Sequence, residues 1–205
     1  MEIFANNLAK RFERNWLFRA LTYTFESDKK YAIIGSNGSG KSTLLQILAG
    51  FIPPTSGNVL YKSADSSPII DPIGKIAFAS PAMELIEEFT LEELLHFHYR
   101  IQGFPSGEEI YSLAEKLQLT HALQKPVRHF SSGMKQRVKL GLAFFSSAEL
   151  ICIDEPTTNL DKKGVEWYRQ LLLAASGRCV LIASNIEQEY AEMVQDQINI
   201  HHFRQ

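Results

Sequence analysis

Tyr31-Ala32-Ile33-Ile34-Gly35-Ser36-Asn37-Gly38-Ser39-Gly40-Lys41-Ser42-Thr43 is the stretch that decides the fold of this 205-residue chain. Its first four residues form a short continuous apolar run, as in a parallel strand buried on both faces. After Thr43, Leu44, Leu45, Ile47 and Leu48 fall at helical spacing, and Gly50 is placed to stop the helix. Between strand and helix, Gly35 to Ser42 fits G-x-x-x-x-G-K-[ST] in the context that this pattern requires. Glycines let the turn bend so that successive N–H groups point inward at phosphate oxygens. The helix N-terminus adds the positive end of its dipole. Lys41 then supplies a cation for the β- and γ-phosphates of a nucleotide, and the Ser42 hydroxyl is placed to ligate Mg²⁺.

A second segment completes that chemistry. Leu150-Ile-Cys-Ile-Asp154-Glu155 is an apolar strand ending in two acids. Consecutive side chains at a strand end point opposite ways, so the two can split their roles. Asp154 is read as holding Mg²⁺ through water, and Glu155 as polarising the water that attacks the γ-phosphate.

Further out, Glu2–Phe4, the alternating Ala20–Phe25, Gly74–Ala79 and Cys179–Ala183 read as strands. Residues 82–128 read as mostly helical, and Met134–Phe144 and Lys163–Ala175 as helices. Pro53-Pro54-Thr-Ser-Gly57 marks a turn. Strands alternating with helices predict an α/β fold around a central, mostly parallel sheet. An N-terminal antiparallel β subdomain and an inserted helical subdomain, approximately residues 82–145, are expected within one domain spanning residues 1–205.

Composition sets outer limits. With 45% hydrophobic residues the chain can bury a substantial core. Lys and Arg number 21 against 23 Asp and Glu, a net charge of −2, which disfavours nucleic acid as a partner. Cys152 and Cys179 each sit in an apolar run and read as buried strand thiols in a reducing compartment. The N-terminus interrupts its apolar residues with charges, unlike a signal peptide. No stretch reaches the roughly 20 apolar residues that span a bilayer. A soluble chain is expected, its membrane role depending on a partner.

Four segments together resemble the nucleotide-binding domain of ATP-binding cassette proteins: Gly35–Thr43, Pro53–Gly57, Phe130-Ser131-Ser132-Gly133-Met134-Lys-Gln-Arg137, and Ile153-Asp-Glu-Pro-Thr-Thr-Asn-Leu-Asp161. The likeness covers nearly the whole chain. It implies ATP and Mg²⁺ as bound groups, hydrolysis with Glu155 and Lys41 as catalytic residues, and a cytoplasmic position at the membrane face beside an integral membrane permease. Ser131, Ser132, Gly133 and Met134 resemble the family signature L-S-G-G-Q, with Ser131 and Gly133 kept. There the segment would reach the γ-phosphate held by a second ATPase subunit, in a homodimer or heterodimer. The same serines also read simply as a helix N-cap. Asp161 matches the loop that crosses that dimer interface. Phe12 aligns with the ring that stacks on adenine; a core position for Phe12, or Trp16 as the stacking ring, are the competing readings.

Two positions depart from the family pattern. Pro81 stands where a Gln usually touches Mg²⁺ and the attacking water. Asn185 stands where a His usually contacts the γ-phosphate. Asn still offers an N–H donor but no titratable ring. The resemblance therefore implies an ATPase with slow or partner-dependent turnover. The Ser131–Arg137 form resembles that of ATPases of exporter-type systems, the haem exporters of cytochrome c maturation among them. A binding-only nucleotide regulator and a soluble cassette protein are the alternatives.

Overall fold

The computed structural model describes residues 1–105 and 108–204. In chain order the elements are β1 (Glu2–Phe12), β2 (Asn15–Phe25), β3 (Lys30–Ile34), α1 (Lys41–Leu48), β4 (Ser56–Lys62), β5 (Pro68–Ile69), β6 (Ile76–Ala79), α2 (Leu91–Gln102), α3 (Ile110–Lys116), α4 (Ser132–Phe144), β7 (Leu150–Asp154), α5 (Lys162–Ala174), β8 (Cys179–Ala183) and β9 (Asp196–Asn199).

Five strands form a parallel sheet in the order β6-β7-β8-β3-β9. β7 and β8 are buried at every residue, as their unbroken apolar runs require. Their side chains alternate between two cores. Ile151, Ile153, Val180 and Ile182 pack with Leu91, Leu113, Leu140 and Tyr168 of the helices. Cys152, Cys179 and Leu181 pack with Leu44, Leu45 and Leu48 of α1 and with Ile3, Leu8 and Phe18 of the N-terminal strands. Each fully buried Leu, Ile or Phe contributes about 1.5–3 kcal/mol of transfer free energy. Both cysteines are free and buried, and burial pushes the Cys179 thiol up to about 12. That is the inert, structural kind of cysteine.

A four-stranded antiparallel sheet, β2-β1-β4-β5, caps the α1 side. β1 and β2 are far longer than their alternation predicts, because bulges break the pattern. Asn7 at φ 49° and Ala20 at φ 53° reverse the local pleat, so the apolar residues fall out of phase.

Other elements also differ from the sequence expectation. Residues 82–89 are turns and extended chain; α2 starts only after Thr90. There a capping box forms: Glu93 N–H donates to the Thr90 hydroxyl, and the Thr90 N–H to the Glu93 carboxylate at 2.8 Å. Leu85 and Ile86 pack on the helical core as loop residues, which is why the segment's apolar pattern resembles a helix. β6 begins at Ile76, since Ile73–Lys75 turn as a short 3₁₀ segment. The edge strand β9 buries only Ile198 and so carries little apolar signal.

Register brings function together. Asp154 pairs with Ala183, Ile33 also pairs with Ala183, and all three strands end on one edge of the sheet. The residues just beyond, Gly35, Glu155 and Ser184, therefore meet at the carboxyl ends of parallel strands, where open α/β sheets bind ligands.

Candidate active site

The turn from β3 into α1 builds a cradle. Gly40 sits at φ 104° immediately before the helix, and a Cβ there would approach Leu17 at 3.1 Å. Only glycine accepts that backbone without strain. Lys41 is 7% exposed, and its Nζ donates to the carbonyls of Gly35 (2.9 Å) and Ser36 (3.2 Å). The ammonium thus lies over the loop that would hold phosphate, with its charge only partly satisfied by neutral carbonyls. A cleft of about 370 Å³ opens beside it, lined by Asn37, Gly38, Gly40, Lys41, Ser42 and Thr43, with Phe12 and Leu17 on one wall and Glu155 on the other.

Ser39 does not face this cleft. Its side chain is buried under the loop, and its N–H donates to the Ser36 carbonyl at 3.1 Å. The Ser36 N–H is directed at the His201 ring Nε2 (3.1 Å), a link from the C-terminal turn that no local pattern announced.

Below the cradle lies Asp154, 9% exposed, with its Oδ1 buried and lacking any hydrogen-bond partner among the described residues. Burial raises its carboxyl above the usual carboxylate value; the neighbouring Ser42 hydroxyl opposes this, Glu155 adds to it, and Lys41 opposes it. An orphaned carboxylate oxygen beside a serine hydroxyl is the hard-oxygen donor set that Mg²⁺ takes, and phosphates and water would complete the shell. The pair fits the ion.

Glu155 adopts φ 44°, a left-handed conformation uncommon for a residue with a side chain. Its N–H donates to the Ala183 carbonyl at 2.9 Å, so the strand pairing holds the strained residue. The carboxylate is exposed and lines the cleft facing Lys41 and Ser42. Strain of this kind collects at functional sites.

A family model described as ABC transporter matches residues 18–158, well over half of the chain. The chain belongs to the ABC transporter family. The cytochrome c biogenesis ATP-binding export protein CcmA of Haemophilus influenzae is 35% identical over 185 residues, 88% of this chain and 87% of its own length. The ABC transporter ATP-binding protein YybJ of Bacillus subtilis is 28% identical over 200 residues, 97% of this chain and 92% of its own. A solved ATP-binding subunit of an ABC transporter superposes with a TM-score of 0.80 at 24% identity, covering 98% of this chain and 87% of that one. The chain is accordingly an ATP-binding subunit of an ABC transporter, from a family that hydrolyses ATP to drive transport. Among the described residues no helix is long and apolar enough to cross a membrane.

Two further family segments, at the start of α4 and after β7, pack on each other. Ser131 N-caps α4, its Oγ accepting from the Met134 N–H at 3.2 Å. Ser131 and Ser132 are exposed, and none of residues 131–134 lines this chain's own cleft. A Cβ on Gly133 would meet the Asn159 carbonyl at 3.0 Å, so α4 packs closely on the loop after β7. Gln136 and Arg137 fasten the same contact, through Pro156 O (2.9 Å) and the Asp161 carboxylate (3.8 Å). Asp161 also caps α5, accepting from Gly164 N–H at 2.7 Å.

The two departures have defined places. Asn185 is exposed, and its amide donates to the Asn37 side chain in the cradle at 3.0 Å, which puts it against the phosphate loop. Pro81 offers only its carbonyl, held at 2.7 Å by the mostly buried Lys139 of α4. Gln102 is committed elsewhere, donating to Ile76 O at 2.8 Å. Of the two candidate stacking rings, Phe12 is 53% exposed and lines the cleft, with Lys10 over its ring, whereas Trp16, beside the guanidinium groups of Arg11 and Arg19, does not line it.

Proposed function

We propose that residues 1–205 form one ATPase domain that binds MgATP in this cleft, closes on a second ATPase subunit and drives an export-type membrane permease from its cytoplasmic face. The observation that carries the reading is the pairing of an orphaned Asp154 oxygen with a strained Glu155 across the cleft from Lys41. Phe12 stacks on adenine. Loop N–H groups and Lys41 grip the phosphates. Ser42 and, through water, Asp154 would hold Mg²⁺, which would supply charge neutralisation at the β- and γ-phosphates. Glu155 orients and polarises the attacking water. Asn185 lends one neutral donor to the γ-phosphate.

In the closed dimer, Ser131, Ser132, Gly133 and Met134 of one subunit reach the γ-phosphate on the other, and Asp161 lies at the seam. The exposure of Ser131 and Ser132, away from their own cleft, supports action in trans. The inserted subdomain, residues 82–145, receives the permease. A cavity of about 290 Å³ supports this, lined by Phe51, Phe78, Met83, Leu85, Phe97 and Leu142 among others. Export is favoured by similarity to a protein named for export, CcmA.

Phosphate release by the purified chain, with and without its permease, tests the reading. Glu155→Gln is expected to abolish release while MgATP still binds. Binding without any release by the unaltered chain, even with permease, would instead support a binding-only regulator. That reading draws on Pro81 and on the Asn185–Asn37 contact, which engages the amide donor.

A further inference from the structure

Beyond the backbone bond from Glu155 to Ala183, the chains leaving β7 and β8 diverge, and a buried carboxylate joins them. Glu189 lies in the short turn Glu187–Glu189 and is 2% exposed. One of its oxygens accepts from the Thr157 hydroxyl and the other from the Ser184 hydroxyl. Thr157 sits just past Glu155, and Ser184 immediately precedes Asn185. Ser184 Oγ also accepts from the Ile186 N–H at 2.9 Å, which fixes its rotamer. Arg169 of α5 steadies the turn by donating to the Gln188 carbonyl at 2.7 Å. The Tyr168 hydroxyl, within electrostatic reach of Glu189, is buried with no partner among the described residues. A glutamate is almost never fully buried unless its oxygens are engaged. Here both are engaged, by the two loops that carry the proposed reacting groups.

We propose that Glu189 is a positioning residue for ATP hydrolysis, whose carboxylate clamps the loop bearing Glu155 to the loop bearing Asn185. The inference rests on the proposed roles of those two residues. The clamp sets the separation between the water-activating carboxylate and the γ-phosphate donor, and the carboxylate itself bonds Thr157 and Ser184 rather than the phosphate cradle. Its loss should therefore show in kcat and spare nucleotide affinity.

The test compares steady-state hydrolysis, MgATP affinity by calorimetry and thermal unfolding for the full chain and its variants Glu189→Ala, Thr157→Val, Thr157→Ser and Glu155→Gln. A misplacement of about 1 Å near the chemistry costs about 100-fold, so Glu189→Ala is expected to lower kcat by about 10- to 100-fold with KM and affinity within about two-fold. Thr157→Val should lower kcat in the same way, and Thr157→Ser, which restores the hydroxyl, should recover most of the loss. Combining Glu189→Ala with Thr157→Val should add little, because Glu189→Ala already removes the Thr157 contact. If Glu189→Ala does not fold, the Thr157 pair decides alone. Unchanged kcat in Glu189→Ala or Thr157→Val overturns the clamp. So does a fall in kcat matched by falls in affinity and unfolding temperature, which marks a merely structural role. If Glu155→Gln stops turnover while the clamp variants do not, only the clamp fails. If Glu155→Gln keeps full turnover, the reading of Glu155 fails and the clamp with it.

Discussion

Lys41, Asp154 and Asn185 each do one nameable thing in the cleft, and each can be tested alone. Lys41 is the cation of the cradle, and a charge-assisted contact is worth roughly 1.5–3 kcal/mol. Lys41→Ala is therefore expected to weaken MgATP binding by at least about ten-fold in calorimetry; an unchanged affinity would contradict the cradle. Asp154 gives a pH signature. Its folded carboxyl lies above the ordinary value of about 3.9, chiefly through burial, so the folded state binds more protons than the unfolded one across that window. The nucleotide-free chain thus loses stability from this group as pH rises through the window, and the full cost stands above it. Asp154→Asn should raise the unfolding temperature at pH 7, with the gain vanishing in acid, while Mg²⁺-dependent ATP binding is lost. A lower unfolding temperature at pH 7 without nucleotide would contradict the orphaned-carboxylate account. In the proposed mechanism Asn185 would supply a neutral donor where an imidazole could share transition-state charge. Removing one such donor outright costs about 10²–10³ in turnover. Asn185→His should raise phosphate release several-fold at nearly constant affinity, and Asn185→Ala should lower it; flat turnover in both would remove the residue from the reaction.

At the scale of elements, α4 carries two loads on one residue. Ser131 caps the helix and, in the proposed dimer, presents its hydroxyl to the partner's γ-phosphate. The loads separate by substitution. Ser131→Ala loses the cap and is expected to cost about 0.5–2 kcal/mol in denaturant unfolding. Ser131→Asp keeps a good cap and suits the helix dipole, so the monomer should unfold like the unaltered chain. Its negative charge would repel phosphate, however, and MgATP-driven dimerisation should fail. Dimerisation by Ser131→Asp at normal strength would leave the capping role as the segment's only one. The same scale shows what the sequence made legible. β3, β7 and β8 are continuous apolar runs, and α1 follows a glycine turn, so the centre of the fold and the phosphate loop could be read directly. β1 and β2 hid behind bulges at Asn7 and Ala20, and the edge strand β9 hid because it buries one side chain. The cleft's remote members left no local trace. Leu17 comes from the second strand, and His201 and Glu189 reach loops from the far end of the chain. Contacts of that kind are made by strand register, which periodicity cannot report.

For the whole molecule, the α4 terminus lies outside the cleft of its own chain, and in the proposed dimer the two would be half-sites of one nucleotide site. Phe12, Lys41 and Glu155 line the cleft, while Ser131 and Ser132 stand exposed elsewhere. In the proposed dimer a second copy, or a second ATPase subunit, would supply the missing half. The groove near residues 82–94 lies on the inserted segment, so closure of the two subunits would shift the surface offered to a permease. Cross-links from the permease are expected to fall near Met83, Leu85 and Phe97, and cross-links confined to residues 186–205 would contradict that placement. Most directly, light scattering of Glu155→Gln with saturating MgATP measures whether the two half-sites meet. The account predicts a doubled molar mass that reverts when MgATP is removed and is absent in the Lys41→Ala, Glu155→Gln double variant. A chain that stays monomeric at saturating MgATP would contradict the homodimeric sandwich.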